Sequence, residues 1–131
     1  MLDRIVAAFE QDDLLGLVFP SDPHLVGWDE NRQIAAVIAA KFGWEGALPE
    51  HFDFPLRNMF WIRRSALQPL LDLRLTWDDY PEEPVPYDGT TLHALERLSP
   101  FACQVAGLTF HDTRSGSVMV TSLRLVCTPQ I

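Results

Sequence analysis

The run LLGLVF, Leu14 to Phe19, constrains the fold more than any other stretch of this chain. It is apolar apart from one glycine, it is too short for a core helix, and Pro20 closes it. Such a run belongs to a strand buried on both faces, in a sheet covered by helices on either side. Two further runs, NMFWI ending at Ile62 and LTF ending at Phe110, have the same short apolar character.

Between these runs the periodicity is helical. Leu2, Ile5, Val6 and Phe9 form one stripe, which the acidic QDD segment ends. Asp29 is placed to cap a helix whose buried stripe is Ile34, Val37, Ile38 and Phe42 before Gly43 stops it. Ser65 and Gln68 have capping-box spacing, so SALQPLLDL reads as a short helix with Pro69 near its first turn. Leu92, Leu95 and Leu98 line one face of a helix opened by Asp88 and Thr90. Ser99 and Pro100 then predict a second helix start, ended by Gly107. The expected architecture is a single α/β domain over residues 1–131 with a small, mostly parallel sheet flanked by helices. Residues 111–131, with the segments VMV and LRLV, form a divergent tail to which no function is assigned.

A chain of 131 residues buries roughly two thirds of its unfolded surface and needs neither metal nor disulfide to stand. Its two cysteines, Cys103 and Cys127, lack metal-ligand spacing and read as reduced thiols. The net charge of −8 and only ten Lys and Arg exclude a nucleic-acid partner. No apolar run approaches the roughly 18 residues of a membrane span, so no transmembrane segment is expected. The N-terminus MLDRIVAAFEQDD lacks the basic and apolar order of a signal peptide, which leads to the expectation of a cytoplasmic protein.

The segments GLVFPSDPHLVGWDENRQIAAVIAAKFGW and NMFWIRRSAL, the acidic loop WDDYPEEPVPYDGT, and TLHALERL leading to AGLTF together resemble the rhamnan synthesis F family of bacterial surface-polysaccharide proteins. Members read roughly PHLVGWGENR in the first of these segments. The resemblance spans about Leu2 to Phe110. It implies the acceptor-side portion of a glycosyltransferase of lipopolysaccharide or rhamnan-type polysaccharide synthesis, similar to the C-terminal half of a GT-A-type domain. The partners implied are a saccharide acceptor and a nucleotide-sugar donor, acting in a complete enzyme. The sequence departs from the pattern before the MFW-like strand, where Arg57 and Asn58 replace a family glycine, and after it, where Arg63-Arg64 replaces Arg-Pro.

Within that resemblance, an inverting transfer needs a carboxylate to take the proton of the acceptor hydroxyl, and Asp88, followed by Gly89, is the catalytic candidate. Asp78 and Asp79 are the rival acids and candidate substrate contacts. Trp61 offers a face on which a sugar ring stacks, Arg63 a paired donor for a diphosphate or acceptor anion, and His24 and Trp28 a binding lip. The same residues have structural readings: Asp88 a helix cap, Asp78 and Asp79 a solvated loop, Trp61 a core residue. His93 and Glu96 read as a surface pair. No residue is assigned to a metal and no cofactor is evident in this chain. The Asp-x-Asp motif and any glycine-rich phosphate loop are absent from it, so a divalent metal and the nucleotide would belong to a complete enzyme or a partner chain. The alternatives are a noncatalytic module that binds a saccharide or a protein through these loops, and a truncated product with no activity of its own.

Overall fold

A computed structural model of the chain describes residues 1–22 and 27–113. His24 and the tail from residue 114 onward, including Cys127, lie outside the described residues. The helices are α1 (Leu2–Gln11), α2 (Arg32–Lys41), α3 (Arg64–Leu71) and α4 (Thr91–Val105), and the strands are β1 (Leu15–Phe19), β2 (Trp61–Ile62) and β3 (Thr109–Asp112).

The three apolar runs do share one sheet, in the order β2-β1-β3. All five residues of β1 are buried, as its composition requires. The sheet is mixed rather than mostly parallel: β1 runs parallel to β3 and antiparallel to β2, with Leu17 opposite Ile62 and Val18 opposite Trp61. A two-residue β2 supplies few ladder hydrogen bonds, and Arg63 N–H extends the pairing by donating to Gly16 O at 2.8 Å.

β1 carries an irregularity between Leu15 and Leu17 in its pairing with β3. An inserted residue shifts the phase of a strand. Leu15 and Val18 therefore pack with Ile5, Ala8, Phe9 and Trp61 on the α1 side, whereas Leu17 and Phe19 pack with Ala66, Cys103, Phe60, Ile62, Leu108 and Phe110. The irregular residue is Gly16, and a Cβ there would lie 2.7 Å from Cys103 Sγ, 2.8 Å from Leu108 Cβ and 3.0 Å from Ala66 Cβ. Glycine lets α3 and α4 close onto the strand. Burial in this contact pushes the Cys103 thiol up to about 12.

The largest cluster lies between α2, α4 and the irregular segment joining α2 to β2. Trp28, Ala35, Ile38, Ala39, Phe42, Leu48, Ala94, Leu98, Phe101 and Ala102 compose it. On α2 the buried stripe is Ala35, Ile38, Ala39 and Phe42, rotated from the expected one, and Val37 faces solvent. On α4 the buried series is Ala94, Leu98 and Phe101, with Leu95 half-buried against it; of the expected Leu92, Leu95 and Leu98, only Leu92 is exposed. Small alanines allow close helix approach, and that contact outweighs the larger but outward-facing side chains. α4 is also continuous through Ser99 and Pro100. Proline removes one N–H from the ladder, yet the buried surface on both sides of it holds the helix together. Ser99 Oγ and Trp44 Nε1 are buried without a hydrogen-bond partner among the described residues, and nothing in the fold explains either.

The caps differ from expectation as well. Ser65 forms no cap, and Gln68 bonds Asp72 at 2.7 Å. The capping box occurs instead at the short 3-10 turn Trp77–Asp79, where Asp79 Oδ2 accepts from Thr76 N–H at 2.6 Å and from Thr76 Oγ1 at 3.1 Å.

Replacing Gly16 with alanine forces a methyl group into the α3–α4 contact, and overpacking of this kind costs about 1–3 kcal/mol. Urea denaturation of Gly16→Ala is expected to show that loss. Parental stability would mean that the helices do not approach the strand this closely.

Candidate functional site

Two segments far apart in sequence, Gly27–Asn31 and Asp88–Thr90, meet at the N-terminal end of α4. The joint is Asn31, a fully buried side chain. Its Nδ2 donates to Trp28 O at 3.1 Å and to Asp88 Oδ1 at 2.6 Å, and its Oδ1 accepts from Gly89 N–H at 3.0 Å. A buried amide left unpaired is costly, and here both amide protons and the oxygen are used. Asp88 Oδ2 also accepts from Glu30 N–H at 3.3 Å.

Asp88 thus bonds the turn before α2 rather than the start of α4. Thr90 caps α4: its Oγ1 accepts from His93 N–H and lies 2.7 Å from His93 Nδ1. Asp29, expected to cap α2, sits in a 3-10 turn with a left-handed φ of 48° and pairs with Arg97. Gly89, with φ 73°, allows the sharp turn over Glu30, whose Oε2 would be 3.4 Å from an added Cβ. Burial acts to raise the Asp88 carboxyl. It is outweighed by the hydrogen bond from the Asn31 amide, the nearby Gly89 backbone N–H and the hydrogen bond from Glu30 N–H, aided by the positive charge of Arg97, so the pKa lies below its usual value.

Beneath this joint lies Arg97, 4% exposed. Nε donates to Gly27 O at 2.9 Å, Nη1 to His93 O at 3.0 Å, and Nη2 to Asp29 Oδ2 at 3.0 Å. Its guanidinium covers the Phe54 ring at 4.9 Å, a cation–π contact. Glu96 approaches Arg97 at 3.7 Å and accepts from Arg57 N–H, in a turn where Arg57 and Asn58 both have left-handed φ. Glu96 therefore pairs with Arg97 and this turn, and His93 pairs with Thr90. Arg32 adds a donor to Leu48 O at 2.9 Å. Every residue of the segment GWDENR except Glu30 contributes a side chain or carbonyl to these contacts, and Glu30 contributes its N–H.

The other expected contacts fall elsewhere. Trp28 is buried, donates Nε1–H to Pro49 O at 2.6 Å, and stacks on Phe52 at 4.0 Å. Trp61 packs on the α1 side of the sheet. Arg63 donates to the carbonyls of Leu15 (2.8 Å), Asp12 (3.2 Å) and Phe9, and covers the Phe9 ring at 5.3 Å, so it closes the C-terminal end of α1. Asp79 shapes the Trp77 turn, and its pKa is lowered chiefly by the Thr76 backbone N–H. Asp78 is exposed on the same turn. Asp78, Asp79 and Asp88 lie on one loop; Trp28 packs its ring into the core while its carbonyl joins the turn that meets Asp88, and Trp61 and Arg63 pack against α1. Among the described residues no group of three or more His, Cys, Asp or Glu side chains is arranged to hold a metal ion. No helix among them is long and apolar enough to cross a membrane.

Residues 1–107 match the family model described as rhamnan synthesis protein F. The chain belongs to this family. It is also 36% identical over 110 residues to an "Uncharacterized protein WxcX" of Xanthomonas campestris pv. campestris, in strain B100 and in strain ATCC 33913. Each match covers 81% of this chain and 16% of the relative, so the chain spans a small part of the curated proteins it resembles. No solved structure matches it. In this member of the rhamnan synthesis F family, the matched region contains both halves of the Asn31–Asp88 joint.

Arg97 and Asn31 were not singled out by sequence reasoning. The available signals were a basic residue beside the apolar face of TLHALERL and an asparagine inside the family-like segment.

A lowered carboxyl pKa means that Asp88 stabilises the fold when ionised. That contribution is present above the ordinary value of 3.8 and disappears as pH falls through the lower folded value. The stability difference between the parent and Asp88→Ala, measured by urea denaturation, is expected to be full at about pH 6 and to shrink towards about pH 3. A difference that grows on acidification would contradict the hydrogen-bonding assignment.

Proposed function

We propose that this chain is the acceptor-side portion of a glycosyltransferase that builds a rhamnan-type surface polysaccharide, with the nucleotide-sugar donor held by another part of the complete protein. Membership of the rhamnan synthesis F family supports a role in polysaccharide synthesis. The structural observation that carries the reading further is the Asn31–Asp88–Gly89 joint, which fixes an ionised carboxylate at the base of an exposed loop.

In this reading Asp88 accepts the proton of the acceptor hydroxyl as that oxygen attacks the sugar carbon of the donor. The lowered pKa keeps it deprotonated, and a carboxylate has about four lone-pair sites, so two hydrogen bonds leave acceptor capacity. Asp78 and Asp79 lie on the same loop as substrate contacts. Arg63 and Trp61 support the floor of the fold through α1 and β1, and Trp28 supports the turn that meets Asp88.

Asp88→Asn tests the assignment. Asparagine presents one acceptor and one donor to the two N–H groups that Asp88 receives, so the exchange is expected to cost about 1 kcal/mol of stability. In the complete enzyme, at a temperature where both forms are folded, transfer is expected to fall by a factor on the order of a hundred or more. Asp78→Asn and Asp79→Asn control for lost loop charge. Parental transfer by Asp88→Asn, or a larger loss in either control, would remove Asp88 as the base.

A further inference from the structure

The loop from Thr76 to Gly89 is anchored at both ends. Asp79 closes the Thr76 turn, and Asp88 with Gly89 is bonded to Asn31. Between the anchors, Trp77 is 92% exposed and Tyr87 is 99% exposed. Trp28, Trp44 and Phe101, by contrast, pack ring against ring in the core. Two large rings are left in water on this tethered loop, and the fold's own packing uses neither.

The polar groups around these rings are acceptors. No Lys or Arg lies between Trp77 and Gly89, whereas Asp78, Asp79, Glu82, Glu83 and Asp88 do. Three of these acids already bond the loop: Asp79 and Asp88 at its ends, and Glu83, whose Oε2 accepts from Val85 N–H at 3.2 Å. Asp78 and Glu82 remain exposed. The five acids of the loop repel a carboxylate or phosphate. A ligand with apolar C–H faces and a rim of hydroxyl donors satisfies both the rings and the acceptors.

We propose that the Thr76–Gly89 loop is a contact surface for an uncharged saccharide, whose C–H faces stack on Trp77 and Tyr87 and whose hydroxyls donate to Asp78 and Glu82. This rests on the polysaccharide reading above and adds both the place of contact and the exclusion of anionic sugars. The two rings bind and orient; they take no part in proton transfer.

NMR titration of the full chain with an uncharged rhamnose trisaccharide tests the proposal. The expected result is a shift of the Trp77 indole N–H and of amides in the loop, with a Kd on the order of 1 mM. Trp77→Ala together with Tyr87→Ala is expected to weaken binding by about tenfold or more while the Tm stays near the parental value, because neither ring is buried. Trigalacturonic acid is expected to give no shift. Absence of shifts with the neutral sugar, equal binding of the uronic acid, or a salt-sensitive response to an oligolysine peptide alone would each overturn the proposal. In the complete enzyme the double variant is expected to raise the acceptor KM more than it lowers kcat. An unchanged KM would sink the contact surface and leave the transferase reading intact, whereas sugar binding by this chain without any transfer by the complete protein would sink the transferase reading alone.

Discussion

The buried guanidinium of Arg97 is the constraint around which the functional end of this chain is arranged. A cation removed from water is tolerated only when its donors are met. Here Gly27 O, His93 O and Asp29 meet them, and Glu96 lies close by. Satisfying one side chain therefore fixes the turn before α2 against α4. Once that turn is fixed, Asn31 is placed to receive Asp88 and Gly89, and the acidic loop acquires a defined end.

The same charges hold backbone that would otherwise be unfavourable. A left-handed residue other than glycine costs about 1–2 kcal/mol, and Asp29, Arg57 and Asn58 all adopt that region. Asp29 stands where the similar family segment GWGENR has glycine, and Arg57-Asn58 where the family turn has one. The resemblance and the dihedral angles agree on what these positions require. In this chain Asp29 is held by Arg97, and the Arg57 N–H by Glu96. Two turns and one helix thus share the adjacent pair Glu96 and Arg97.

The strands were legible in the sequence because short, nearly unbroken apolar runs have few other uses. LLGLVF, NMFWI and LTF became the three strands of one sheet. Their directions were not legible, since a helix and an irregular segment precede β2 and chain order alone does not set its sense. Helix positions were recovered better than helix faces. Alanines at 35, 39, 94 and 102 pack the α2–α4 contact, while leucine counting pointed to Leu92. Within the candidate site, the segment WDDYPEEPVPYDG stood out by composition. Its attachment to Asn31 did not, because a hydrogen bond between residues 57 apart leaves no local pattern.

Amide hydrogen exchange in Arg97→Met tests most directly whether this cation unites the segments. Methionine keeps much of the length and apolar contact of the side chain but donates nothing. The Asn31 N–H bonded to Trp28 O, the Asn58 N–H bonded to Pro55 O and the Gly89 N–H bonded to Asn31 Oδ1 are expected to lose protection together. The loss should be on the order of tenfold or more beyond any change at the Asp12 N–H that closes α1. Acceleration confined to α4, or a uniform rise across the whole chain, would contradict the account.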